Sequence, residues 1–241
     1  MNWIILYLLC FFAVIGVLAV GYVLNNQANA CVVKHQYKQN KKGIGPMELS
    51  PILFEKNKTP NTVLVALNAK KTNYFSSSFN AIKLSPETIY SPYLFDLAIF
   101  IRCSNQAKKQ QYNYITATLY KIMSIISKLV FVLFVPIVFI AAILNISFGL
   151  EKTAKIITII SLLCYIVVFL IQLILHFIVQ SKVKYIKDDI KNLEIFEEDE
   201  INILLSLVSS LNKYEFFDIT RFSLGVFALL NPATIMERKE K

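Results

Sequence analysis

The chain has 241 residues, of which 56% are hydrophobic and 17% are charged, and its formal net charge is +9. Soluble domains typically carry about 25% charged residues, so this composition is unlike that of an ordinary soluble protein. The length leaves room for several membrane spans and about one small soluble domain.

Three runs of the sequence contain no charged residue and are long enough to cross a bilayer. They are Trp3–Leu24, Leu129–Leu150 and Ile156–Val179, with 22, 22 and 24 residues. A membrane-spanning helix needs about 20 apolar residues. The sequence therefore predicts an α-helical multi-pass membrane protein with a small cytoplasm-facing α+β domain. The predicted segments are transmembrane helices at 3–24, 129–150 and 156–179, a basic α+β domain at 25–128, soluble helices at 180–221, and a short transmembrane or re-entrant segment at 222–236.

The first run could be a cleaved signal peptide instead of a transmembrane anchor. Ala28-Asn29-Ala30 resembles a small-residue cleavage site, and Cys31 after it suggests a lipoprotein. No basic residue precedes Trp3, however, and the run exceeds the 7–15 residues of a signal h-region. We therefore expect the first run to be retained as an anchor.

Charge sets the expected orientation. Residues 25–128 hold 14 Lys and Arg against 4 Asp and Glu, and basic residues also follow the third run at Lys182, Lys184 and Lys187. The positive-inside rule assigns these regions to the cytoplasm. Five residues separate the second and third runs, so they form a hairpin with its tip outside, and the N-terminus is also outside. Anionic lipids account for the lysines. No nucleic-acid-binding module is visible.

The segment after the first run predicts alternating helices and strands. Met47–Asn57 can be helical, with Pro46 suited to its first turn. Thr62–Leu67 is rich in β-branched residues and Ala81–Leu84 alternates, so both predict strands. Ser85 and Pro86 then start a helix that runs through the densely apolar Leu94–Ile101 to Gln110. That helix is expected to be largely buried.

This order of elements resembles the membrane-bound neutral zinc metallopeptidase family of bacteria (the YugP type). The residues that carry the resemblance are Thr72-Asn73-Tyr74-Phe75, then Ile82-Lys83-Leu84-Ser85 and Glu87-Thr88-Ile89-Tyr90. They match in spacing and character the family's Thr-Asp-His-Tyr, Val-Arg-Leu-Ser and Glu-Asn-Val-Tyr. The similarity in layout covers nearly the whole chain.

The resemblance implies a His-Glu-x-x-His helix, in which two histidines bind zinc and the glutamate is the general base. Carried over by spacing, the histidines fall on Cys103 and Ala107, the base on Ser104, and a third, distal ligand near Val179. Alanine and valine cannot bind zinc, whereas an open catalytic site needs three protein ligands. The family's catalytic machinery is therefore expected to be missing here.

A rebuilt metal site is the alternative. Cys103 and His176 could be two ligands, with Asp96 or Glu87 as a distant third, because ionisable residues inside membranes are functional candidates. Against this, His176 and Gln172 could simply hydrogen-bond to a neighbouring helix. Cys103 could equally be a small packing residue on a buried helix.

The last third predicts a polar helix over Ser181–Phe196 and another over Ile201–Leu211, with the acidic cluster Glu197–Glu200 between them. Acids at a helix N-terminus complement its dipole, which favours a structural role over a metal site. The cluster could also pair with the basic stretch 102–128.

Together these features predict a pseudo-peptidase without metal or other cofactor, with zinc only if the site is rebuilt. Its partners would be the lipid bilayer and another membrane protein or a peptide, and no nucleic acid. The alternatives are an active membrane zinc metallopeptidase and a structural subunit of a membrane complex.

Overall fold

The structure is a computed structural model that describes residues 2–67 and 73–225. Its helices are α1 (Trp3–His35), α2 (Pro46–Lys56), α3 (Pro86–Ile89), α4 (Leu94–Tyr112), α5 (Tyr114–Phe148), α6 (Glu151–Ser181), α7 (Val183–Lys191) and α8 (Glu198–Thr220), followed by a 3-10 turn at Arg221–Leu224. Its strands are β1 (Val63–Ala66), β2 (Tyr74–Ser76) and β3 (Ala81–Leu84). The chain forms two compact units. Within the described residues, the helical unit comprises 2–25, 121–177 and 214–225, and the mixed unit comprises 26–67, 73–120 and 178–213.

Three helical stretches are long and apolar enough to cross a membrane: Trp3–His35, Tyr114–Phe148 and Glu151–Lys191. Each continues beyond the uncharged run that predicted it. A helix can extend into polar sequence because its backbone hydrogen bonds do not depend on side-chain polarity. The uncharged runs therefore locate these helices without giving their ends.

The helical unit is built on an apolar cluster from α1, α5, α6 and the end of α8. Its buried members are Cys10, Val17, Phe131, Phe134, Tyr165 and Ile219. The Tyr165 ring stacks on Phe134, with ring centroids 4.3 Å apart. Lys155 of α6 lies over the ring of Trp3 at 5.5 Å. This contact brings the N-terminal ends of α1 and α6 to the same end of the unit.

The mixed unit contains a three-stranded sheet in the order β1-β3-β2. β1 is parallel to β3, with Val63 opposite Ala81, and β2 is antiparallel to β3, with Tyr74 opposite Lys83. α4 packs against β2 and β3 and also against α2 and α3. All of its first eleven residues, from Leu94 to Ser104, are buried. The predicted burial of this helix is therefore confirmed, and α4 is the central element of the mixed unit.

Several predicted elements need correction. The helix predicted from Pro86 to Gln110 is two helices, α3 and α4, because Pro92 interrupts it. Proline lacks the N–H that an α-helix needs and disfavours helical geometry at the residue before it. The strand β2 was not predicted. The helix predicted over Ser181–Phe196 is interrupted after Ser181 and ends at Lys191, and α8 is longer than the predicted Ile201–Leu211.

The short transmembrane or re-entrant segment predicted at 222–236 lies mostly outside the described residues. Its first residues belong to the 3-10 turn, which ends at Leu224, and Gly225 caps that turn with a positive φ of 64°.

Candidate functional site

The motif positions that the resemblance singles out lie on α4 in the mixed unit. Cys103, Ser104 and Ala107 are 2%, 0% and 1% exposed. Spacings of three and four residues place side chains on one helix face. A catalytic zinc site keeps one coordination position open for water or substrate. These three side chains are closed off from solvent, so this stretch of α4 has packing rather than an open pocket.

Ser104 is bound to α2 by a buried hydrogen bond. Asn57, at the C-terminal cap of α2, donates from Nδ2 to the Ser104 Oγ at 3.1 Å. The Asn57 Oδ1 is also buried, and it has no hydrogen-bond partner within the described part of the chain. Ser104, the residue at the position that the resemblance assigns to the general base, therefore joins α4 to α2.

A second polar contact fixes the neighbouring position. The Arg102 Nε donates to the Oδ1 of Asn212 on α8 at 3.1 Å, and both side chains are buried. A buried arginine is costly unless it is hydrogen-bonded. Arg102 therefore joins α4 to α8 within the mixed unit.

Asp96, one of the two distant third ligands proposed for a rebuilt site, does not fit with Cys103. Asp96 is seven residues before Cys103 on α4, which separates them by about 10 Å along the helix axis. Two ligands of one zinc ion lie within about 4 Å of each other, because each is about 2.0–2.3 Å from the metal. Asp96 is instead hydrogen-bonded to Ser91 at the start of α4. Glu87 is exposed in the first turn of α3.

His176 belongs to the helical unit, whereas Cys103 and Val179 belong to the mixed unit. The His176 side chain is buried, and its ring lies 4.8 Å from that of Phe216, measured between centroids. Gln172, one turn earlier, donates from Nε2 to the Ser127 Oγ at 2.6 Å and to the Met123 carbonyl oxygen at 3.0 Å. The sequence left open whether Gln172 hydrogen-bonds to a neighbouring helix. These two bonds to α5 show that it does.

No group of three or more His, Cys, Asp or Glu in 2–67 and 73–225 is placed to hold a metal ion. The pairing of Cys103 with His176 as ligands stays a prediction.

The buried face of α6 is mostly polar, and of its polar residues the sequence singled out only Gln172 and His176. Besides Ala154, its buried residues are Thr158, Tyr165, Gln172 and His176. The Tyr165 hydroxyl and the Ser223 Oγ are 2.8 Å apart and hydrogen-bonded. Thr158, Tyr165 and Gln172 are spaced by seven residues, and that spacing within an apolar run was the available signal. In apolar surroundings such side chains act as links between helices.

The acidic cluster Glu197–Glu200 pairs with lysines that follow α1 or lie on α7. Asp199 pairs with Lys38 at 3.4 Å, Glu197 pairs with Lys41, and Glu198 pairs with Lys187 at 3.1 Å and Lys191 at 3.8 Å. In the basic stretch 102–128, Lys108 binds Asp189 of α7 and Lys128 binds Asp218 of α8. The expected pairing of the cluster with 102–128 stays a prediction.

Hydrogen bonding shifts two pKa values at these exposed pairs. The hydrogen bond from Lys187 holds the pKa of Glu198 below its ordinary value of 4.5. The hydrogen bond to Glu197 raises the pKa of Lys41 above 10.5. These directions favour the charged forms of Glu198 and Lys41 at neutral pH.

Glu200 has a structural role at the start of α8. Its carboxylate is buried and accepts the backbone N–H of Lys41 at 2.7 Å and that of Glu197 at 3.0 Å. A glutamate at the third helical position that accepts the N–H of the capping residue is half of a capping box. Glu200 thereby joins the segment after α1 to the start of α8.

Comparison of the chain with known protein families, curated proteins and solved structures found no match. The metallopeptidase resemblance thus stays a prediction carried by the residues named above.

Proposed function

We propose that this chain is an integral membrane protein with the arrangement of elements of a zinc metallopeptidase but without its metal ligands and general base. We propose that it acts by binding another membrane protein or a peptide. The observation that carries this proposal is the burial of Cys103, Ser104 and Ala107, together with the bond between Ser104 and Asn57. Where the related enzymes need ligands, a base and an opening for water, this helix has packing contacts.

Membrane insertion is supported by where the apolar side chains lie. In the most apolar window of each long helical stretch, only 22%, 17% and 22% of the residues are buried. Large exposed side chains include Phe12 on α1, Phe139 on α5 and Leu163 on α6. Monomeric soluble proteins rarely expose apolar patches of this extent, whereas lipid covers them at no cost.

We further propose that the N-terminus and the α5–α6 tip face outward and that the basic mixed unit faces the cytoplasm. The Trp3–Lys155 contact supports the first part, because it puts the start of α1 beside the start of α6. The excess of lysine and arginine in residues 25–128 supports the second part.

The metal content of the purified full-length protein tests the loss of the site. We expect no zinc after washing with a chelator, and no cleavage of casein or of a peptide library by membranes that contain the protein. Stoichiometric zinc retained after washing would favour the main rival, an active metallopeptidase with a rebuilt site. In that case Cys103→Ala and His176→Ala would each abolish the retained zinc and the cleavage.

The third candidate is a structural subunit of a larger membrane complex. Purification in mild detergent distinguishes it from a binding protein with an occasional partner. A stable complex of fixed composition would favour the subunit, whereas a monodisperse single chain would favour the binding protein.

A further inference from the structure

α5 packs within the helical unit along one line of side chains. Its buried residues are Ser127, Phe131, Phe134 and Ala141, which are spaced by four, three and seven residues. Spacings of three and four keep side chains on one helix face. Phe134 on this face stacks on Tyr165 of α6. We call these four residues the inner seam of α5.

α5 carries a second line of large apolar side chains, and this one is exposed. Its isoleucine and leucine residues are 40–55% exposed: Ile122, Ile126, Leu129, Leu133, Ile140 and Ile143. They are spaced by four, three, four, seven and three residues, which covers three heptads, and only Pro136 interrupts the series. In the sequence of α5 the same spacing extends back to Ile115 and Leu119. We call the six residues from Ile122 to Ile143 the outer seam.

The outer seam has the spacing of a helix-pairing surface. Apolar residues that alternate at intervals of three and four occupy the a and d positions of a heptad, and such helices supercoil around each other. Ile126 and Leu133 then stand at a, and Ile122 and Leu129 stand at d. Contact with lipid requires apolar side chains but no such period. The inner seam falls at positions b and f, so the outer seam points away from it.

The outer seam extends beyond the part of α5 that the bilayer can cover. The 35 residues of α5 extend about 52 Å, whereas the hydrocarbon core is about 30 Å thick. Only Gly149 and Leu150 separate α5 from α6, so the excess length lies before the uncharged run that starts at Leu129. With the proposed insertion, Ile122 and Ile126 lie outside the hydrocarbon core, where lipid tails do not cover them.

The residues that flank the outer seam are compatible with pairing between identical chains. Copies of one chain have the same orientation in the membrane, so their α5 helices are parallel. In a parallel pair the e and g positions face each other, and charges there select the partner. Outside the uncharged run these positions hold Met123 and Ile125, whereas Lys121 and Lys128 are at c, away from the seam. Identical copies can therefore approach without like-charge repulsion.

We propose that the outer seam of α5 packs in parallel against the outer seam of a second copy of this chain. This inference rests on the proposed membrane insertion, which gives all copies one orientation. An assembly of identical copies contains no other protein, so it differs from a structural subunit of a mixed complex.

Disulfide cross-linking in native membranes tests the contact. In a background without the native cysteines, Ile122→Cys and Ile126→Cys each place a thiol at the centre of the seam. Each should give an oxidised product of twice the chain mass, because a disulfide forms where two Cα atoms are about 4.4–6.8 Å apart. Lys121→Cys is the matched control, since residue 121 is exposed at the same depth but off the seam. No product from either seam variant, or equal product from all three variants, would overturn the proposal.

A charge swap tests whether the seam faces itself. Two differently tagged copies are co-expressed, and capture of one through the other is measured in mild detergent. With Ile126→Glu in both copies, capture should be lost, because two carboxylates would face each other. Lys121→Glu in both copies adds its carboxylate off the seam and should leave capture unchanged.

Ile126→Glu in one copy and Ile126→Lys in the other should restore capture, because position 126 faces its own equivalent in a parallel pair. Capture that stays lost in this mixed pair would mean that lipid, another protein or another segment of the same chain covers the seam, and the proposal would be wrong.

Failure of this inference can be told apart from failure of membrane insertion. Protein that stays in the membrane at alkaline pH but gives no cross-linked product refutes the seam contact and leaves the insertion standing. Protein that washes off at alkaline pH refutes the insertion itself.

Discussion

At the scale of single residues, the Ser104–Asn57 bond makes a testable claim about α4. Ser104→Ala removes the acceptor and leaves the buried Asn57 amide without its partner. An unpaired buried donor costs about 1–3 kcal/mol, so we expect the free energy of unfolding to fall by that amount. In an Asn57→Ala background the same change should cost less, because no amide remains to be left unpaired. Chemical denaturation in detergent measures both values.

Ser210→Ala is the control for this prediction. Ser210 is also a buried serine on a helix of the mixed unit, but its hydroxyl donates to the Ser206 carbonyl in its own helix. Its removal leaves no side chain unpaired and should change stability little. Equal losses for Ser104→Ala and Ser210→Ala would contradict the role given to the bond.

Glu200 supports a second prediction at this scale. Glu200→Ala leaves the backbone N–H groups of Lys41 and Glu197 without an acceptor, so we expect a loss of about 1–3 kcal/mol. Glu197→Gln, by contrast, disturbs only an exposed ion pair and should cost less than about 1 kcal/mol. Thermal unfolding of the two variants compares them directly, and a larger effect at Glu197 would refute the assignment.

The sequence could indicate that Ser104 and Glu200 occupy special positions, because motif spacing marks the first and an acidic helix start marks the second. It could not indicate their partners. Asn57 is 47 residues from Ser104 in the chain, and Lys41 is 159 residues from Glu200. Such pairs arise from tertiary packing, and local propensity and periodicity carry no information about tertiary contacts.

At the scale of elements, Gly21 lets α1 approach the end of α8 within the helical unit. A Cβ at Gly21 would overlap the Thr220 hydroxyl and lie 3.2 Å from the Thr220 Cβ, whereas a Cβ at Gly16 would have no atom within 4 Å among the described residues. We expect Gly21→Ala to destabilise the protein by about 1–3 kcal/mol through overpacking. Gly16→Ala should be neutral or stabilising, because alanine favours a helix over glycine by about 1 kcal/mol.

The melting temperatures of the two glycine variants, measured in the same detergent, decide this point. Both residues lie on α1 five positions apart, so any general effect of alanine on the helix is common to them. A drop in melting temperature for both variants would mean that α1 tolerates no added methyl group, and the specific contact with Thr220 would lose its support.

The elements show where a pattern in the sequence is sufficient. β3 was predicted with its observed ends, and α2 and β1 within one residue at either end, because turn residues delimit them. Pro92 indicates a break between α3 and α4. The apolar run that follows it favours a single continuous helix, and the prediction from the sequence followed that run. β2 has only three residues, too few to establish an alternating pattern. Its strand conformation depends on pairing with β3.

At the scale of the whole molecule, three uncharged runs and an uneven charge distribution predict both the spanning helices and their orientation. The contacts between the helices were beyond the sequence. The bond between Tyr165 and Ser223 joins residues 58 positions apart, and it brings the 3-10 turn after α8 to the buried polar face of α6. This turn lies at the start of the sequence 222–236, for which a short transmembrane or re-entrant segment is predicted.

The orientation makes the last prediction. In a background without the native cysteines, we place single cysteines by Lys152→Cys at the α5–α6 tip and Lys191→Cys at the end of α7, where the lysine side chain is 62% exposed. A membrane-impermeant maleimide should label residue 152 in intact cells and residue 191 only after permeabilisation, because the basic regions are retained inside. Labelling in the reverse order would invert the topology and assign the mixed unit to the outer surface.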